Sequence, residues 1–115
     1  MPSPSDYERL LHIKEAAYLI LEYTQHSDLI GFRLDRKSQL SVERLIEILG
    51  EAANHISEDI KVDYPEVPWR QIIALRNVVS HEYFQIRLEL IWGVATQEIP
   101  VLAMQINKIL EELGT

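Results

Sequence analysis

The chain has 115 residues, of which 47% are hydrophobic and 25% charged, an ordinary globular composition with length for one domain and a single core. Its net charge of −7 and pI near 5.0 exclude a broadly basic nucleic-acid-binding surface, so any RNA contact must come from a local cluster of cations. No cysteine is present, which excludes disulfides, thiolate nucleophiles and thiolate metal sites and agrees with a cytoplasmic location.

The first six residues, Met1 to Asp6, carry two prolines and read as a disordered lead, with neither the basic start nor the apolar run of a signal peptide. Ser5 or Asp6 is expected to cap a first helix running from Tyr7 to about His26, in which Leu10, Ile13, Ala17, Ile20, Leu21 and Tyr23 fit a helical repeat. His12 and His26 read as surface or terminal residues. Residues 27–31 form a connection with Gly31 as its breaker. A second helix is expected from Asp35 or Ser38 to about Asp59, on the spacing of Leu40, Leu45, Ile46, Leu49, Ala52, Ala53 and Ile56. Gly50 within it costs roughly 1 kcal/mol relative to alanine, which a close helix approach would explain. Residues 60–68 read as the longest irregular segment, with Pro68 placed to start the next helix. A last helix is expected from Arg87 or Leu88 to about Leu113, kinked or split at Pro100 and stopped by Gly114. Its apolar stretch is interrupted by Glu89, Gln97, Glu98 and Gln105, so it reads as a buried helix and not a membrane span. The expected fold is all-α, a four- or five-helix up-and-down bundle occupying residues 7–113.

The chemistry concentrates in residues 75–84. On a helical wheel with Arg76 at 0°, Ser80 falls near 40°, Asn77 near 100°, His81 near 140° and Tyr83 near 340°. Val78, Leu75, Val79 and Ile72 occupy an opposing apolar arc. Such a polar arc is compatible with an ordinary amphipathic helix. It also brings together a permanent planar cation, a group that exchanges protons near neutrality, and amide and hydroxyl groups able to orient both. Metal chemistry has little support, because the four histidines are scattered and form no His-Glu-x-x-His or Glu-x-x-His element. Clustered glycines for a phosphate loop are also missing.

The order Arg76, four residues, His81, one residue, Tyr83 resembles the signature of the HEPN superfamily, specifically the HepT-like toxins of HEPN/MNT toxin–antitoxin pairs. Gly50-Glu51-Ala52-Ala53, the Pro65 to Arg70 lead and Trp92 followed by Pro100 resemble that family as well, so the likeness spans roughly residues 7 to 112. It implies a two-fold homodimer with a composite site, RNA cleavage leaving a 2′,3′-cyclic phosphate, and Tyr83 as acceptor of AMP from a nucleotidyltransferase-fold antitoxin. No cofactor and no membrane or DNA partner is expected.

The residues support the cleavage chemistry independently. RNA is cut without a metal when a base takes the 2′-hydroxyl proton, a cation holds the phosphoryl oxygens and an acid protonates the leaving 5′-oxygen. His81 suits base or acid, Arg76 suits the phosphate, and Asn77 is placed to orient the ring or the phosphate. One histidine cannot make both proton transfers at once, whereas two motif segments meeting across a dimer supply two. Glu51 is either a solvated helix charge or a partner for a motif arginine. Tyr83 is either a bundle tyrosine or the AMP acceptor. Two other functions stay open: a noncatalytic nucleotide- or substrate-binding partner of a nucleotidyltransferase, and a helical interaction protein whose motif is its dimer face.

Overall fold

The computed structural model describes residues 4–114, and all regular structure among them is helical. Helix α1 spans Pro4–Thr24, α2 Leu29–Leu34, α3 Arg36–Asn54, α4 Glu58–Asp63, α5 Trp69–Ala74, α6 Arg76–Val79 and α7 Phe84–Gly93. A π-helical turn, Val94–Glu98, leads into α8, Ile99–Gly114. The all-α bundle expected from the periodicity is therefore the observed class. Helix α1 packs between α3 and α8, and the core is built from Leu10, Ile13 and Ile20 of α1, Ile46 and Leu49 of α3, and Ile99 and Ile106 of α8, all fully buried.

Several expected boundaries are corrected. Of the anticipated lead, residues 1–3 lie outside the described residues, while Pro4, Ser5 and Asp6 are already helical, so neither Ser5 nor Asp6 is a cap. Asp6 is buried and accepts from the Ser57 amide at 2.9 Å and the Ser57 hydroxyl at 2.8 Å. It thereby satisfies an amide donor at the turn into α4 and ties the two ends of the fold's first half together. The second long helix stops at Asn54 instead of Asp59, because Ser57 turns extended and caps a new helix, α4, which runs from the end of the expected helix into the stretch expected to be irregular. Residues 27–31 are also partly helical: Asp28 caps α2, its carboxylate accepting from the Gly31 amide at 2.7 Å.

Leu40 and Tyr23 were expected on apolar faces but are exposed at 50% and 38%. The inward position next to Leu40 is Gln39, 1% exposed, whose amide donates to the Phe32 and Arg33 carbonyls at 2.8 and 3.0 Å and accepts from Arg36 at 3.1 Å. A buried polar side chain so fully bonded closes the C-terminal end of α2, where carbonyls lack helical partners.

Pro100 neither splits nor ends the last helix. The π turn widens the backbone immediately before it: the Ile99 amide reaches back to the Val94 carbonyl, and the Thr96 hydroxyl donates to the Trp92 carbonyl at 2.8 Å. This accommodates the ring and the missing N–H within a continuous run that begins at Phe84, earlier than the expected Arg87 or Leu88.

Gly50 sits where α3 meets the α5 backbone. A Cβ there would lie 3.4 Å from the Ile72 carbonyl oxygen and 3.6 Å from that of Ile73, contact distance with nothing to spare. Gly50→Ala is accordingly expected to be neutral or to gain up to about 1 kcal/mol in helix propensity. Gly50→Val must push α5 away and should cost about 1–3 kcal/mol. Urea unfolding of both variants checks the pair.

Candidate functional site: a broken helix carrying the motif

The motif does not lie on one helix. Leu75 interrupts the run, α6 lasts only from Arg76 to Val79, and His81, Glu82 and Tyr83 belong to the connection before α7. The wheel therefore fails for His81 and Tyr83. The reason is local. Leu75, Val78 and His81 donate to carbonyls three residues back at 2.9–3.2 Å, a tightened geometry. The Ser80 hydroxyl donates to the Arg76 and Asn77 carbonyls at 3.3 and 3.2 Å, taking acceptors that α-helical amides at 80 and 81 would use. The β-branched Val78 and Val79 add little helical preference.

Arg76 points back over α3. Its guanidinium lies 3.8 Å from a Glu51 carboxylate oxygen, and the other oxygen of Glu51 is 3.0 Å from His55 Nε2. Glu51 is thus the partner of a motif arginine, one of the two roles open to it in the sequence. The side chains of Arg76 and Glu51 are 51% and 61% exposed, so solvent screens the pair and an incoming phosphate can displace it.

His81 is held separately. The Tyr83 amide donates to His81 Nδ1 at 3.2 Å, which places the proton of the neutral ring on Nε2. The Tyr83 ring centroid is 6.1 Å from that of His81, and Tyr83 is 67% exposed, so its hydroxyl is accessible. The neutral ring thus offers Nε2–H as a donor toward a phosphate, and the imidazolium is the acid form. Accepting a proton at Nε2 requires the other tautomer and gives up the Tyr83 contact, a hydrogen bond worth about 0.5–1.5 kcal/mol. Asn77 is exposed, and among the described residues no hydrogen bond joins its side chain to the ring; the orienting group is the Tyr83 backbone.

Arg87, a cation just after the motif, turns inward. Its Nε is 2.9 Å from Glu43, Nη1 donates to the His81 carbonyl at 3.2 Å, and the guanidinium lies 5.2 Å from the Phe84 ring. It fastens the His81 connection to α3, a role that the sequence does not signal because Glu43 is 44 residues away. Arg87→Met strands the Glu43 carboxylate, itself only 13% exposed, and should cost about 1.5–3 kcal/mol in chemical denaturation.

Within one chain the motif therefore forms two halves. Arg76 joins Glu51 and His55, whereas His81 joins Tyr83 and Arg87. Among the described residues no cluster of His, Asp and Glu has the makings of a metal site, and no helix is long and apolar enough to cross a membrane.

Comparison with known proteins identifies the family. The family model described as ribonuclease HepT-like matches residues 13–109. A Thermococcus cleftensis protein named "Probable ribonuclease HepT" is 36% identical over 107 residues, covering 93% of this chain and 96% of that protein. A Methanocaldococcus jannaschii protein whose name proposes an RNase is 32% identical, over 85% of this chain and 90% of its own. A similarly named protein of Caldanaerobacter subterraneus subsp. tengcongensis is 30% identical over 97% and 98% of the two chains. No solved structure matches. The chain belongs to the HepT-like ribonuclease family.

Proposed function

We propose that the protein is the toxin of a toxin–antitoxin pair: a metal-independent endoribonuclease that works in the cytoplasm as a two-fold homodimer. The observation that carries this reading is the open pairing of His81 with Tyr83 directly after Arg76, in a chain of a ribonuclease family. Among the described residues no hydrogen bond or ion pair joins Arg76 to His81, so two motif segments meeting across a dimer axis offer the simplest way to put a cation and two imidazoles around one phosphate.

In that site one His81 accepts the proton of the ribose 2′-hydroxyl as its oxygen bonds to phosphorus. The bond from phosphorus to the 5′-oxygen breaks, and the second His81, as imidazolium, donates a proton to the departing oxygen. The products are a 2′,3′-cyclic phosphate and a 5′-hydroxyl end, with no water consumed. Arg76 leaves Glu51 and clamps the phosphoryl oxygens, where charge grows. A nucleotidyltransferase-fold antitoxin neutralises the enzyme by transferring AMP to the exposed Tyr83 hydroxyl.

The test is incubation of an RNA pool with purified protein in excess chelator, with end-group analysis of the products. Cyclic phosphate ends support the reading; intact RNA from unmodified protein removes it. The acidic net charge favours a second reading, a noncatalytic nucleotide- or substrate-binding partner of a nucleotidyltransferase, which intact RNA would leave in place.

A further inference from the structure

Residues 44, 47, 48, 51 and 52 of α3 and its C-cap, His55, recur every three or four positions and so form one stripe; Arg9 and His12, three apart, do the same on α1. The two stripes face each other across an open cleft of about 490 Å³, and Arg76 closes it on the motif side. Arg9, Arg44 and Arg76 outnumber the carboxylates of Glu47 and Glu51, leaving one net positive charge there, or three when His12 and His55 are protonated. The chain as a whole carries −7, so the sign of the charge inverts locally, and it does so beside the motif. The two arginine ion pairs in the cleft are loose: Arg44–Glu47 is 3.7 Å and Arg76–Glu51 is 3.8 Å, with all four side chains well exposed, whereas His55 Nε2 lies closer to Glu51, at 3.0 Å. Neither pair can compete with a phosphate that accepts two parallel hydrogen bonds from a guanidinium. Ile48 and Ala52 supply an apolar floor on which a ribose or base can rest.

We propose that this cleft binds single-stranded RNA next to the scissile phosphate, with Arg9 and Arg44 each holding a flanking phosphate while Arg76 serves the reacting one. The assignment rests on the ribonuclease reading for its substrate. It also explains how an acidic protein engages RNA: by a short track, not a basic surface. The volume lies within the roughly 300–1,000 Å³ typical of sites that enclose a small ligand.

The test is anisotropy titration of a labelled oligoribonucleotide with 2′-O-methyl riboses, which cannot be cleaved, across a salt series. For single strands, log K falls with log salt by about 0.7 per phosphate contact. The Arg9→Gln/Arg44→Gln double variant should therefore lose about 1.4 from the slope, and Arg44→Gln alone about 0.7, which keeps the test available if the double variant folds poorly. Lys108→Gln on α8, outside the cleft, removes the same charge and should leave the slope unchanged. Equal slopes for the wild type and Arg44→Gln, or an equal loss in Lys108→Gln, overturn the proposal. Cleavage of unmodified RNA is read in parallel. Wild-type cleavage with unaltered binding by the cleft variants removes the track and keeps the ribonuclease. A lost slope with no cleavage by any form keeps the track and removes the ribonuclease.

Discussion

His81→Ala is expected to lower RNA cleavage by about a hundred- to ten-thousand-fold while leaving the fold intact, the range associated with losing a positioned acid or base. Among the described residues the hydrogen bond of its ring is the one accepted from the exposed Tyr83 amide, so stability should change by no more than about 0.5–1.5 kcal/mol. Arg76→Ala should reduce cleavage by a comparable factor through the phosphate it no longer clamps. The two variants become more informative together. Because the composite site uses His81 of both chains, a mixed dimer of wild type and His81→Ala holds one imidazole and cannot make both proton transfers. Excess His81→Ala is therefore expected to suppress wild-type cleavage once subunits exchange, and excess Arg76→Ala to lower it less, since both imidazoles remain. Cleavage that stays proportional to the wild-type subunits present, with subunit exchange verified by mass, would place a full site in each chain and refute the composite arrangement.

The parts of this architecture that could be read from sequence are those governed by burial. Leu10, Ile13 and Ile20, or Ile46 and Leu49, repeat at helical spacing because one face of each helix must leave water, and that signal survives without knowing the neighbours. The close approach at Gly50 was legible for a related reason: a glycine inside a helix has a cost that packing must offset. The boundaries were not. Ser57 and Asp28 end or begin helices through single side-chain bonds to amides, and such bonds look the same in sequence as solvated polar residues. The motif shows the same limit at greater consequence. Residue types and order named Arg76, His81 and Tyr83, but tightened backbone bonds and the Ser80 hydroxyl on the Arg76 and Asn77 carbonyls accompany the end of the helix before His81. The partners that hold these groups, Glu51 for Arg76 and Glu43 through Arg87 for His81, come from α3 and leave no periodic trace. The basic cleft is hidden for the same reason, since Arg9, Arg44 and Arg76 are dispersed along the chain and meet only in the fold.

Loading Tyr83 with AMP should abolish cleavage, whereas Tyr83→Phe should cut RNA within a few-fold of the wild type and escape neutralisation by the antitoxin. The geometry gives both halves of this expectation. Tyr83 orients His81 through its backbone amide, a contact that phenylalanine preserves, and its hydroxyl makes no hydrogen bond among the described residues. Removing that hydroxyl therefore takes nothing from the imidazole. Transfer of AMP is different: the tyrosine oxygen bonds to the α-phosphorus of ATP, pyrophosphate departs, and a charged phosphodiester with its adenosine now hangs beside a ring centred 6.1 Å from His81. An RNA phosphate approaching His81 then meets both excluded volume and like charge in a site whose cations are few. The fixed phosphate also competes for the guanidinium of Arg76, whose hold on Glu51 is loose enough to be exchanged. The measurement is cleavage by wild type and Tyr83→Phe before and after treatment with the nucleotidyltransferase and ATP, with modification followed by mass spectrometry. Retained activity in a wild type fully modified at Tyr83 would refute inactivation at this residue. Neutralisation of Tyr83→Phe by the same treatment would move the modification to another hydroxyl.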